Sequence, residues 1–280
     1  MMGYSKNRPF IKVDVTGEVD KRFDEVTSQL ADKAMLSNPE IAAETRIIGH
    51  RGFSAGAPEN TLPSYDLAGH MGFWGGENDI TTTNDGVWVV MHDSTLDRMT
   101  NGTGNVQDHS LAEIKALLID GGKNIEKYPN LRVPTFEEWL ICLKKNALVP
   151  VIEMKPGTYT DTDYQSFVDI LRKHGMEKKV VLISFDTNIL LKVRDISATV
   201  YIQPLVNFTS AMLDFCEGLG NAGIDVPLSQ VTQDLINDAH SRGISVNAWT
   251  VDDSTIAQSY ISMGIDFITT NRFLWGNFNG

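Results

Sequence analysis

The chain has 280 residues, 42% hydrophobic and 21% charged, which is the composition of a globular protein able to bury a sizeable core in one large domain or two ordinary ones. A net charge of −12 excludes a general nucleic-acid binder, because phosphate binding needs clustered Lys and Arg, and an acidic protein that acts on phosphates needs a cation to mediate. No run of about 18 apolar residues occurs, so no transmembrane segment is predicted.

The first segment, Met1 to Phe10, is polar and lacks the apolar core of a signal peptide, so a standard secretory precursor is not expected. Val19, Phe23, Val26 and Leu30 are spaced four, three and four apart across Glu18 to Ala34. That is an a/d stripe of fewer than three heptads, marginal as an isolated helix. It reads either as a helix packed on the main domain or as the stub of an oligomerising stalk, a homo-oligomer formed through residues 18–34. Residues 1–45 are therefore expected to form an N-terminal helical extension or connector, and residues 46–280 the main domain.

From Arg46 onward short apolar runs alternate with amphipathic segments. Eight strands are predicted, over 46–50, 73–80, 148–154, 180–185, 199–204, 222–226, 244–249 and 265–269. Ser110 with Glu113 and Thr135 with Glu138 match the capping box that opens a helix. Gly72, Gly175, Gly243 and Gly264 each follow a helical pattern and precede an apolar residue, as a helix-ending glycine does. Strands alternating with helices imply parallel pairing through right-handed crossovers, and eight such units close into a (β/α)8 TIM barrel. Residues 81–134 are too long for one connection. They carry the turn Asn84-Asp85-Gly86, a Gly-rich loop at Asn101 to Gly104 and a short helix, and read as a small insertion after the second strand, over the C-terminal mouth. Cys142 and Cys216 fall in separate predicted helices and form neither a disulfide framework nor a metal spacing.

In such a barrel the chemistry sits at the C-terminal strand ends. His50 and Arg51 end the first strand. Glu77 and Asp79 lie two apart in the second and Glu153 and Lys155 two apart in the third, so each pair shares a face. Three converging carboxylates raise one another's pKa unless a cation joins them, and an oxygen-only set suits Ca2+ or Mg2+. The alternative is a set of carboxylates merely salt-bridged to Arg51 and Lys155. His50 and His92 can give and take protons near neutral pH, as phosphodiester cleavage requires. Arg51 and Lys155 supply positive charge for a phosphate. Trp249 offers a flat wall for a small polyol or head group, or is a plain core aromatic.

The ordered series His50-Arg51-Gly52, Pro58-Glu59-Asn60-Thr61, Glu77-x-Asp79, Thr83-Asn84-Asp85-Gly86, His92-Asp93, Leu96-Asp97-Arg98 and Gly102-Thr103-Gly104 resembles the glycerophosphodiester phosphodiesterases. It continues through Val133-Pro134-Thr135, Glu153-x-Lys155, Ser184-Phe185, Asn247-x-Trp249-Thr250-Val251 and Gly264-Ile265-Asp266, over about residues 46–275. The resemblance implies a barrel with a small insertion, a divalent ion, and cleavage of glycerophosphodiesters to glycerol phosphate and an alcohol. By position it implies Glu77, Asp79 and Glu153 as metal ligands, His50 and His92 as the acid/base pair, Arg51 and Lys155 as phosphate contacts, and Phe185 and Trp249 as walls of the glycerol pocket. The chain departs from the family pattern at Asn78, Thr81, Thr82 and Asn271, which leaves the proposed catalytic groups intact and opens the question of substrate preference.

Residues 1–45 also resemble the short helical connectors that precede enzymatic domains in bacteriophage tail proteins of Gram-positive hosts. Poly(glycerol phosphate) teichoic acid is a chain of glycerophosphodiesters, so a polymeric substrate fits the same chemistry. The expected compartment is the cytoplasm, or an extracellular or virion-associated place if that connector reading holds. Other readings are a phospholipase D-like enzyme on choline lipids, a non-catalytic module that grips phosphodiester polymers, and a carboxylate-pair glycosidase, which would leave the two histidines and Arg51 without work.

Overall fold

The computed structural model describes residues 45–274. The expected helical extension and its stripe at Val19, Phe23, Val26 and Leu30 therefore lie outside the described residues. Eight parallel strands run in the order expected: β1 Arg46–Gly49, β2 Gly75–Thr82, β4 Val149–Met154, β5 Val181–Ser184, β6 Tyr201–Pro204, β7 Ile224–Pro227, β8 Val246–Trp249 and β9 Phe267–Thr270. The hydrogen-bonded order is β6-β5-β4-β2-β1-β9-β8-β7. Single bridges Ile202↔Ala222 and Leu205↔Asp225 join β6 to β7 and close the (β/α)8 barrel.

The outer layer consists of α1 Leu62–Met71, α3 Phe136–Lys145, α4 Asp161–Lys173, α5 Thr187–Ile196, α6 Ser210–Leu219, α7 Gln233–Ser241 and α8 Ser254–Met263. Several strands begin about two residues later than their apolar runs, and the helix ends explain why. Gly72, Gly243 and Gly264 adopt positive φ. The apolar residue after each then donates back to the helix it leaves: Phe73 N–H to Ala68 O, Ile244 N–H to Ala239 O, Ile265 N–H to Tyr260 O. That bond belongs to the helix terminus, so the ladder starts only afterwards.

The insertion opens with Thr83 to Gly86 and β3 Trp88–Val90, which pairs antiparallel with the end of β2. It has a small core of its own, with Val89, Leu96, Met99, Val106, Ile114 and Val133 buried together. Both expected capping boxes form, at Ser110 before the short helix α2 Leu111–Ala116 and at Thr135 before α3. Cys142 and Cys216 are buried and free. Among the described residues no helix is long and apolar enough to cross a membrane.

Inside the barrel the period-two alternation sets the chemistry. The inward positions of β4 are Val149, Val151 and Glu153, all buried. Apolar side chains fill the bottom, with Ile48, Val149, Val151, Val181 and Phe267 in one cluster, and a carboxylate stands above them. The outward positions Ile152 and Met154 join the apolar layer beneath the helices.

Candidate active site

Glu77 and Asp79 occupy the same face of β2, and the ladder sets Asp79 opposite Glu153 of β4. One oxygen from each of Glu77, Asp79 and Glu153 lies within 4.8 Å of the others. All three residues are buried. Lys155, just past β4, places Nζ 2.7 Å from Glu153 Oε1 and 3.3 Å from Asp79 Oδ1, and Arg51 Nε lies 3.5 Å from Asp79 Oδ2. Three carboxylates against two cations leave one formal negative charge in excess. Burial, then the charges of Asp79 and Glu153, push the Glu77 carboxyl well above its usual range. Burial and then Asp79 likewise push Glu153 up. Burial acts the same way on Asp79, but Lys155 and then Arg51 outweigh it and hold that carboxyl down. Asp79 Oδ1 and Glu153 Oε1 accept no aligned hydrogen bond despite the nearby ammonium. A buried, oxygen-only set with excess negative charge and unsatisfied acceptors can hold a divalent cation.

The loop after β1 aims Arg51 by an unusual backbone. Arg51 has φ 55, a left-handed conformation that costs a non-glycine residue about 1 kcal/mol. In return its N–H donates to Glu77 Oε2 at 2.7 Å, and its Nη1 donates to Glu59 Oε1 at 2.7 Å. Gly52 must be glycine: its φ is +79, and a Cβ there would lie 2.3 Å from Ser64 Oγ. Asn60 Nδ2 donates to Asp79 Oδ2 at 2.8 Å, and the Tyr65 hydroxyl donates to Asn60 Oδ1 at 2.9 Å. The motif Pro58-Glu59-Asn60-Thr61 thus braces the carboxylates and Arg51 from behind.

The two histidines stand on different supports. His50 Nδ1 is 2.7 Å from Asn271 Oδ1. Asn271 Nδ2 donates to Asp252 Oδ2 at 2.8 Å, and its backbone N–H donates to Asp252 Oδ1 at 2.8 Å. Only one amide orientation satisfies Asp252, so Asn271 turns its oxygen to His50, and His50 Nδ1 carries the hydrogen. The lone pair of the neutral ring is then on Nε2. Burial, then the charge of Arg51, holds the His50 imidazolium below its ordinary pKa. His92 Nδ1 instead lies 2.6 Å from Asp93 Oδ1. Arg98 Nε donates to Asp93 Oδ2 at 2.6 Å, and that guanidinium keeps the Asp93 carboxyl well below the usual carboxylate range. Arg98 Nη2 also donates to Glu59 Oε1, so Glu59 bridges the guanidinium groups of Arg51 and Arg98.

A cavity of about 230 Å3 opens over these groups. His50, Arg51, Glu77, His92, Glu153, Lys155, Phe185 and Trp249 line it, so eight of the nine residues singled out in the sequence meet there. The ninth, Asp79, lies beneath, 1% exposed. Phe185 is 48% exposed and stands edge-on to Trp249 with ring centroids 5.5 Å apart. Asp225, at the end of β7, also lines the cavity. Its Oδ2 accepts from Asn247 Nδ2 at 3.0 Å while Oδ1 has no hydrogen-bond partner among the described residues. Asp225 has one signal in the sequence, an acid inside an apolar strand. Glu59, Asn60, Arg98 and Asp252 have none, because their roles rest on contacts between separate segments.

Residues 50–274 match the model of the glycerophosphoryl diester phosphodiesterase family. A glycerophosphodiester phosphodiesterase from Bacillus subtilis is 30% identical over 261 residues, covering 86% of this chain and 87% of the relative. One from Caldanaerobacter subterraneus is 30% identical over 234 residues, covering 81% of this chain and 94% of the relative. Among solved structures, a phosphodiesterase from Oleispira antarctica in complex with the product sn-glycerol-3-phosphate superposes with a TM-score of 0.75 at 28% identity, covering 81% of this chain and 92% of the other. The barrel agrees with that likeness, and the chain belongs to the glycerophosphoryl diester phosphodiesterase family and is a phosphodiester hydrolase.

Proposed function

We propose that this chain hydrolyses glycerophosphodiesters to glycerol phosphate and an alcohol, with His50 as general base and His92 as general acid. The observation that carries the assignment is the difference between the groups behind the two rings. A neutral amide accepts from His50 Nδ1, while a charged carboxylate accepts from His92 Nδ1. A carboxylate compensates an imidazolium and an amide does not, so His92 is placed to give a proton and the lone pair of His50 Nε2 to receive one. His50 removes the proton of the attacking hydroxyl as its oxygen bonds to phosphorus. The bond from phosphorus to the leaving oxygen breaks, and His92 protonates the departing alkoxide. Water or the neighbouring glycerol hydroxyl serves as attacker, and both routes move the same two protons. Arg51 and Lys155 hold phosphoryl oxygens, and the Phe185 and Trp249 rings flank the glycerol.

Glu77, Asp79 and Glu153 would hold one Ca2+ or Mg2+. Such an ion, when bound, neutralises charge on a phosphoryl oxygen. His50→Ala and His92→Ala are each expected to lower turnover of glycerophosphodiesters by about 10²-fold or more. Near-normal turnover in either variant removes that residue from the mechanism. Treatment with EDTA is expected to abolish turnover and to lower the melting temperature, and full activity without metal would refute the cation.

A polymeric substrate, poly(glycerol phosphate) teichoic acid, has support from the shape of the site. The catalytic cavity continues on one side into an open groove of about 520 Å3 that shares Phe185, Leu205 and Trp249 with it, and on the other into a cavity that shares His92 and Lys155. Both neighbours of a scissile phosphate therefore have room. Release of glycerol phosphate from purified teichoic acid, measured beside release from glycerophosphocholine, tests this; no release from the polymer would exclude it.

A further inference from the structure

The cavity beyond His92 and Lys155 has a volume of about 210 Å3 and a wall unlike that of the groove on the opposite side. Its lining includes Asp93, Ser94, Asn105, Gln107 and Asp108 beside the two shared side chains, and no Phe, Tyr or Trp. We propose that this cavity is the subsite for the leaving alcohol, and that it selects a neutral polyhydroxylated alcohol over one bearing a quaternary ammonium. The inference rests on the phosphodiesterase reading above and deepens it.

Position is the first argument. A general acid must stand within hydrogen-bond reach of the oxygen it protonates. His92 is that acid, and it forms the threshold of this cavity, so the alcohol that departs from phosphorus leaves into it. The far side of the catalytic cavity is occupied by the Phe185 and Trp249 rings.

Chemistry is the second. Amide and hydroxyl side chains both donate and accept, which matches alcohol groups that do the same. A quaternary ammonium offers no hydrogen-bond donor and is recognised by aromatic faces, and none is present here. The acids in the wall are already engaged. Asp108 Oδ2 accepts from Asn105 Nδ2 at 2.8 Å, and Asp93 is held by Arg98 and His92. Asp93, paired with a guanidinium, is therefore a poor counter-charge for a cation, and the Asp108 oxygen that faces Asn105 is taken up by that amide.

Rigidity is the third. Gln107 sits in the short turn Val106–Asp108, whose Val106 is buried in the insertion core. Gln107 Nε2 donates to Thr82 Oγ1 at the end of β2, at 3.2 Å, which ties the wall to the barrel.

The test compares kcat/KM for glycerophosphoglycerol and glycerophosphocholine in the wild-type chain, in Gln107→Leu and in Asn105→Ala. The wild type is expected to favour glycerophosphoglycerol by about tenfold, and each variant to lose most of that preference, as the loss of one or two hydrogen bonds to a hydroxyl predicts. Both positions are at least partly exposed, and circular dichroism of each variant identifies one that fails to fold. A wild type that prefers the choline ester overturns the proposal. So does a substrate ratio unchanged in both folded variants. Absence of hydrolysis of either ester by the metal-loaded wild type would instead bring down the underlying phosphodiesterase reading.

Discussion

Asn271 offers His50 an oxygen through an amide that Asp252 orients from the other side. Replacing that amide with a carboxylate changes one atom and the charge behind the ring. In Asn271→Asp the His50 imidazolium gains a counter-charge, so its proton is lost at higher pH. A general base works only above its pKa, and the acidic limb of kcat/KM is therefore expected to move up from its position below 6.5, the ordinary value from which burial displaces the group. Movement of the alkaline limb instead would exchange the roles of the two histidines. Asn78 makes a second prediction. By alternation it lies on the face of β2 opposite Glu77 and Asp79, fully buried, with neither Nδ2 nor Oδ1 hydrogen-bonded among the described residues. Asn78→Leu removes two unsatisfied polar atoms and is expected to stabilise the fold by about 1–2 kcal/mol in chemical denaturation. A destabilised variant would show that the amide is satisfied by solvent. The same residues show where sequence reading reaches its limit. Glu77, Asp79 and Glu153 are legible because carboxylates two apart in a strand, or ending an apolar one, have few other purposes. Asn271 and Asp252 drew no role because the pairing of the amide with His50 spans 221 positions.

The strand and helix boundaries show a related limit one level up. Apolar periodicity located all eight barrel strands, but it could not separate the residue that closes a helix from the one that opens a strand, since both are apolar and buried. The end of α7 illustrates what such a junction holds. His240 Nε2 lies 2.8 Å from Asp266 Oδ2, and the same oxygen accepts the Val246 N–H at 2.8 Å, joining helix, β8 and the segment before β9. The hydrogen bond to Asp266 raises the His240 pKa above its ordinary 6.5, against the opposing effect of burial. A raised folded-state pKa contributes stability that is complete below 6.5 and fades as pH climbs through the folded value. The melting temperature is therefore expected to fall between about pH 6 and pH 8. His240→Gln is expected to flatten that slope, and an identical slope in the variant would assign it to other groups.

Across the whole molecule the barrel wall is uneven. The β2–β4 ladder has six registered pairs, Gly75↔Val149 through Ile80↔Met154, whereas β6 and β7 meet only at the bridges Ile202↔Ala222 and Leu205↔Asp225. Fewer shared hydrogen bonds mean a lower local opening free energy. Amide hydrogens along the β6–β7 seam are expected to exchange faster than those between β2 and β4, and equal protection would show that helix packing compensates for the short ladder. The strong side of the wall is the one that carries the triad, so the carboxylates are held where the barrel opens least. The bridge from Arg51 through Glu59 to Arg98 bears on how such a protein can diversify. The insertion has a core of its own and looks exchangeable, yet Arg98 is its contribution to an electrostatic clasp whose other half is the loop carrying Arg51. A chimera that grafts a foreign insertion onto this barrel would have to bring an equivalent of Arg98, or it would leave Glu59 with one of its two guanidinium partners and Asp93, behind His92, without its clamp. Exchange of this segment is thus constrained by one guanidinium that lines neither the catalytic cavity nor the one beyond His92.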